Sequence, residues 1–196
     1  MDENAEVSPK NRQVARHVAK LFGGHPSANR MKDAAGTSFI DVMQAADSPL
    51  RALTSYATLG LSDHPNKAGA KKKSMPVEIV GACASDVRGF DKAISTAAFN
   101  VINSKWPCFP GAIFPDCLEM YRLSPTMKHF FFIEPCLWTE DLKPLKVGKQ
   151  TITWLLAVPI SDEERVYAEK DGPASLDKLL EKKRIDIPDV KRPSVL

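Results

Sequence analysis

The 196-residue chain has no run approaching the roughly 20 apolar residues that a membrane-spanning helix needs. Its opening stretch, MDENAEVSPKNRQ, is acidic and polar where a secretory leader is basic and then apolar. Both absences predict a cytoplasmic protein. The cysteines, Cys83, Cys108, Cys117 and Cys136, form no Cys-x-x-Cys pair and have no histidine at zinc-ligand spacing. Reduced thiols without a structural metal are therefore expected, as suits a reducing compartment. Gly-x-Gly-x-x-Gly, a Walker loop, His-Glu-x-x-His and an Asp-x-Asp metal loop are all missing, which weighs against an enzyme without excluding one. There is no internal repeat and no heptad run.

A strong charge of either sign is missing too, since the formal net charge is only +3. That is too mild to announce a nucleic-acid binder. Positive charge gathers in KNRQVARHVAK (Lys10 to Lys20) and in the Lys71-Lys72-Lys73 run, but no aromatic side chains interleave with the lysines. Solvated faces explain such runs better than a single-strand binding groove. Negative charge gathers in TED (Thr139 to Asp141) and SDEER (Ser161 to Arg165).

What is present is a core. With 43% hydrophobic and 26% charged residues, the chain suits one sizeable domain, read here as residues 11–196 after a disordered tail at 1–10. Val14, Val18 and Leu21 recur at helical spacing after Pro9, and Gly23-Gly24 supplies the stop. Three strands are predicted in Thr37–Ala45, Ala52–Ser62 and Met75–Cys83, and their short connections imply an antiparallel meander. A wide apolar stripe between Arg88 and Ser104, from Phe90 to Ile102, predicts a helix covering the sheet. HFFFIEP (His129 to Pro135) and TITWLLAVPIS (Thr151 to Ser161) read as buried strands, the second near the sheet centre, with Trp154 in the core. Ser161 makes an N-cap for a helix opening with acidic residues, and a further helix spans Ala174–Lys183. The expectation is an α+β domain: a mixed, mostly antiparallel central sheet covered by helices.

Two short stretches carry chemistry. In SYATLGLSDHP, Ser55 to Pro65, a strand ends on a turn that gathers Ser62, Asp63 and His64 at an exposed strand end. The residues alone leave two readings, a partner-binding rim or a catalytic corner. In GACAS, Gly81 to Ser85, a cysteine between small residues resembles a nucleophile elbow with sulfur for oxygen, although Ser85 stands where the motif has its second glycine. A Cys83 hydrolase would need His64 or His129 as base, with Asp86 or Asp63 behind it. The alternative for Cys83 is a core thiol.

The order FIDVMQAADSPLRALTSYATLGLSDHP, PVEIVGACAS, WLLAVPISDEERVYAEKDGPASLDKLLEK and DVKRPSV resembles the suppressor-of-fused (Sufu) domain family. Thr58, Gly60, Ser62 and Asp63 match its T-x-G-x-S-D strand end; Pro159-Ile160, Glu163, Glu164 and the terminal Arg-Pro-Ser match its C-terminal block. EIVGACAS, FNVINS, MKHFFFIEP and DIPDVKRPSV are similar to its short bacterial branch, the YqcF-type antitoxins. The resemblance implies an immunity protein encoded beside an LXG-type polymorphic toxin, often with a nuclease tip. It implies a binding module without cofactor or turnover, whose partner is the toxin's C-terminal domain. The acidic residues Asp63, Asp86, Asp141, Glu163 and Glu164, with Ser62 and His64, are then the candidate partner surface, complementary to a basic cleft.

Overall fold

A computed structural model describes residues 7–68, 73–138 and 142–196. The start of the expected tail, Lys71 and Lys72 of the lysine run, and the TED stretch with Asp141 lie outside the described residues. Ser8 opens helix α1 (Pro9–Phe22), its Oγ accepting from the Asn11 amide at 3.1 Å, and Val14, Val18 and Phe22 are its buried residues. Gly23, at φ 67°, ends the helix in a conformation that glycine adopts without a Cβ penalty.

Strands β1 (Ser27–Lys32), β2 (Phe39–Ala46) and β3 (Leu53–Leu59) are followed by the two-residue strands β4 (Lys67–Ala68) and β5 (Lys73–Ser74), which pair with each other. Then come β6 (Val77–Ala84), helix α2 (Phe90–Ile102), β7 (Ile113–Phe114), β8 (Met127–Ile133), β9 (Leu145–Val147) and β10 (Gln150–Ser161). Helices α3 (Asp162–Asp171) and α4 (Pro173–Lys183) complete the elements. The main sheet runs β1-β2-β3-β6-β10-β8-β7, with β9 on the free half of β10. Every pairing in it is antiparallel except β6 with β10. The expected meander is β2-β3-β6, and β10 takes the interior position that its unbroken apolar run implies.

Alternation along the central strands divides the interior in two. On β6, Val77, Ile79 and Cys83 face α2, together with Phe130 and Phe132 of β8 and Leu155 and Ala157 of β10. Val80 and Ala82, with Phe131, Trp154, Leu156 and Val158, face the opposite layer, which α1, α3 and α4 cover with Val14, Val18, Ala168, Leu176 and Leu180. Period-2 side chains buried on both faces are why HFFFIEP and TITWLLAVPIS look uniformly apolar. Gly81 lies under α2, and a Cβ there would stand 3.0 Å from the Phe90 ring and 3.1 Å from Ile94. The glycine of GACAS therefore serves close helix-to-sheet packing.

Strand β1 departs from the sequence reading, which left it unassigned. Five of its six side chains are exposed, so no apolar alternation marks it. It exists through its ladder to β2 and the Arg30–Asp41 ion pair, with Nε to Oδ1 at 2.9 Å.

Candidate functional site

At the end of β3, Gly60 takes φ 100° and turns the chain so that successive amides point inward. Their target is Glu78 of β6, whose side chain is fully buried. The amides of Gly60 and Ser62 donate to Oε1 at 3.1 and 3.0 Å, and that of Leu61 to Oε2 at 3.2 Å. The Thr58 hydroxyl donates to Oε2 at 2.6 Å and accepts from the Ile79 amide at 2.9 Å. Burial pushes the Glu78 carboxyl above its ordinary range, and the Thr58 hydroxyl and turn amides oppose that. The polar strand end thus forms a cradle for an internal carboxylate.

This corrects part of the expected rim. Ser62 is buried at 3% exposure. Asp63 is exposed but tied to α1, with Lys10 Nζ at 2.6 Å and Asn11 Nδ2 donating at 2.8 Å. Partial burial works against its ionisation, yet Lys10 and Asn11 prevail and hold it below the carboxylate range. His64 is half-buried, and its burial lowers its pKa.

Glu164 is a second correction, because it does not face solvent. Its exposure is 0%, and Arg192 embraces it with Nη1 at 2.6 Å and Nη2 at 2.8 Å. Oε2 also accepts from the Ser161 amide at 3.1 Å while Ser161 Oγ accepts from the Glu164 amide at 3.2 Å, a reciprocal capping box. Arg192 Nη2 donates on to the Pro159 carbonyl at 2.9 Å, and the Val195 amide to Glu164 Oε1 at 3.0 Å. The glutamate of SDEER and the arginine of the terminal Arg-Pro-Ser are one knot that fastens the C-terminal segment to β10 and α3. Glu163 and Asp86 are exposed, Asp86 with Lys191 Nζ at 3.9 Å.

The catalytic candidates are likewise held apart or consumed. Cys83 is fully buried within β6, and burial, opposed by the Tyr56 hydroxyl, pushes its thiol up to about 12. A protonated, sealed sulfur is no nucleophile at neutral pH. His129 is 2% exposed, its Nδ1 accepting from the Asp116 amide at 2.9 Å. The other ring nitrogen, Nε2, lies 2.9 Å from Asp162 Oδ1, which as a carboxylate oxygen accepts from it. Asp162 also pairs with Lys128 at 2.6 Å. With both nitrogens bonded, the ring joins β8 to α3. Among the described residues, no group of three or more His, Cys, Asp or Glu side chains is placed to hold a metal ion, and no helix is long and apolar enough to cross a membrane.

A groove of about 760 Å³ lies between α4, the segment after it and the end of β8. Phe131, Ile133, Val158, Ile185 and Ile187 line its floor, and Glu134, Cys136, Asp177, Glu181 and Arg184 stand around it. Sequence reading missed it because its residues come from four separated segments.

This architecture, a mixed sheet with a carboxylate-cradled strand end and an arginine-locked C-terminus, defines a class. Residues 36–193 match the family model described as suppressor of fused protein (SUFU), and the chain belongs to that family. Immunity protein YqcF of Bacillus subtilis (strain 168) is 43% identical over 190 residues, spanning 97% of this chain and 99% of that protein. Among solved structures, a SUFU homologue from Neisseria gonorrhoeae FA 1090 superposes with a TM-score of 0.71 at 14% identity, covering 95% of this chain and 97% of its own. Drosophila Suppressor of Fused superposes with a TM-score of 0.63 at 12% identity, covering 100% of this chain and 54% of its own. At these identities the structural matches establish the fold.

Proposed function

We propose that this chain is an immunity protein, which binds a cognate polymorphic toxin in the cytoplasm and neutralises it without turnover or cofactor. The carrying observation is the 43% identity to Immunity protein YqcF over nearly the full length of both chains. The finer reading is an LXG-type toxin with a nuclease C-terminal domain. Asp63, Asp86 and Glu163 are the exposed acidic side chains offered to its basic surface, with half-buried His64 beside Asp63. Internal bonding of Glu78, His129 and Glu164 supports a scaffold role for the polar core, and a sealed Cys83 gives the hydrolase alternative no support.

The test is co-expression with the C-terminal domain of the toxin encoded next door. The expected result is restored growth and a stoichiometric complex that forms more slowly as salt rises, because steering between charged surfaces is screened. Absence of both protection and complex overturns the proposal.

A further inference from the structure

Resting on the immunity reading, we propose that the groove between α4 and the end of β8 seats the toxin, taking an apolar segment of it flanked by Lys or Arg side chains. The volume of about 760 Å³ falls within the range of pre-formed ligand sites, roughly 300–1,000 Å³. It is about five times the ~150 Å³ cavity that admits one benzene ring. The floor is aliphatic and aromatic, whereas the polar groups stand on the rim and do not converge on one point. That distribution suits a polypeptide with apolar anchors better than a small polar metabolite, which needs convergent partners.

The rim supplies the charge argument. The groove's lining holds three carboxylates, Glu134, Asp177 and Glu181, and one guanidinium, Arg184, on a chain whose formal net charge is +3. Four acidic groups elsewhere are paired with the chain's own cations: Asp41 with Arg30, Asp63 with Lys10, Asp162 with Lys128 and Glu164 with Arg192. Among the described residues, no ion pair or side-chain hydrogen bond occupies Glu134, Asp177 or Glu181. Carboxylates left unpaired around an apolar floor select for cations at the ends of an apolar insert. They also disfavour a second copy of this chain, since a two-fold contact through the groove brings like-charged rims together.

Cys136 makes the groove observable, as it is the exposed cysteine and stands on the rim near Asp177. The experiment uses the full chain and the toxin's C-terminal domain. Maleimide labelling of wild-type Cys136 is expected to slow at least tenfold in the complex. Asp177→Lys with Glu181→Lys is expected to raise the dissociation constant at least tenfold at an unchanged melting temperature, and Ala174→Trp, filling the mouth, to do the same. If the wild type binds and protects while Cys136 labels at the free rate and both variants bind normally, the groove is overturned and the immunity reading stands. If the wild type binds no toxin, both fail together.

Discussion

Glu164 and Arg192, 28 residues apart, meet through two contacts of 2.6 and 2.8 Å at a place where neither reaches solvent beyond 5%. A buried pair adds little over a well-packed apolar pair, but breaking one side leaves an uncompensated charge. Arg192→Ala is therefore expected to cost about 3–5 kcal/mol. A Glu164→Leu, Arg192→Met double variant should lose much less than the sum of its single changes. Denaturant midpoints of the singles and the double close the cycle, and simple additivity would sink the idea of a mutual lock.

The carboxylate of Glu78 receives three backbone amides and a hydroxyl. Glu78→Gln turns an acceptor-only group into one presenting an amide donor to N–H donors, with an expected cost of about 1–3 kcal/mol. Thr58→Val should cost about 1–3 kcal/mol by removing two bonds, one to the Glu78 carboxylate and one from the Ile79 amide. Thermal unfolding measures both, and a wild-type stability for Glu78→Gln would show that the turn does not depend on the carboxylate.

Lys128, and after it His129, hold Asp162 below the ordinary carboxylate range. A carboxyl with a depressed native pKa contributes stability above its unfolded value of about 3.9, and that contribution is lost as pH falls through the native value. Because its side chain is 43% exposed, Asp162→Asn should cost under about 1 kcal/mol at pH 7. The gap to wild type should close as the pH is brought below the carboxylate range. A gap of equal size at pH 7 and pH 3 would contradict the pairing.

Three thiols are buried, and burial first of all pushes Cys83 and Cys117 up to about 12 and Cys108 higher still. Burial, and after it Asp177, raise the Cys136 thiol as well, but it alone of the four is exposed, so native protein at pH 7.5 should lose Cys136 to a maleimide first and the other three only on unfolding. Cys83→Ala should retain toxin protection, at a cost of about 1–2 kcal/mol for the small cavity left under α2. Rapid native labelling of Cys83 with loss of protection would return the hydrolase to consideration.

Much of the fold was legible because burial imposes period. The stripe from Phe90 to Ile102 and the unbroken run of β10 must be covered, so they announce a capping helix and an interior strand. Ser161 was readable as an N-cap because capping is local, requiring only that Glu164 follow three residues later. Strand β1 was illegible for the converse reason: an exposed edge strand buries nothing and needs no pattern.

The site was less legible, because residue type shows charge but not where the charge is spent. Asp63, Glu163 and Glu164 look alike along the chain, yet one pairs with α1, one faces solvent and one is sealed under Arg192. Glu78 drew no notice in a strand whose neighbours are all apolar, though it organises the turn that did. Composition and periodicity by themselves determined an α+β core, its helix caps and its central strands, since these follow from contacts within a few residues and from the need to bury apolar area. Which carboxylates are engaged within the chain, and the groove that three others border, were decided only when separated segments packed together, because desolvation and pairing depend on neighbours brought from far along the chain, as with Asn11 and Asp63, 52 residues apart.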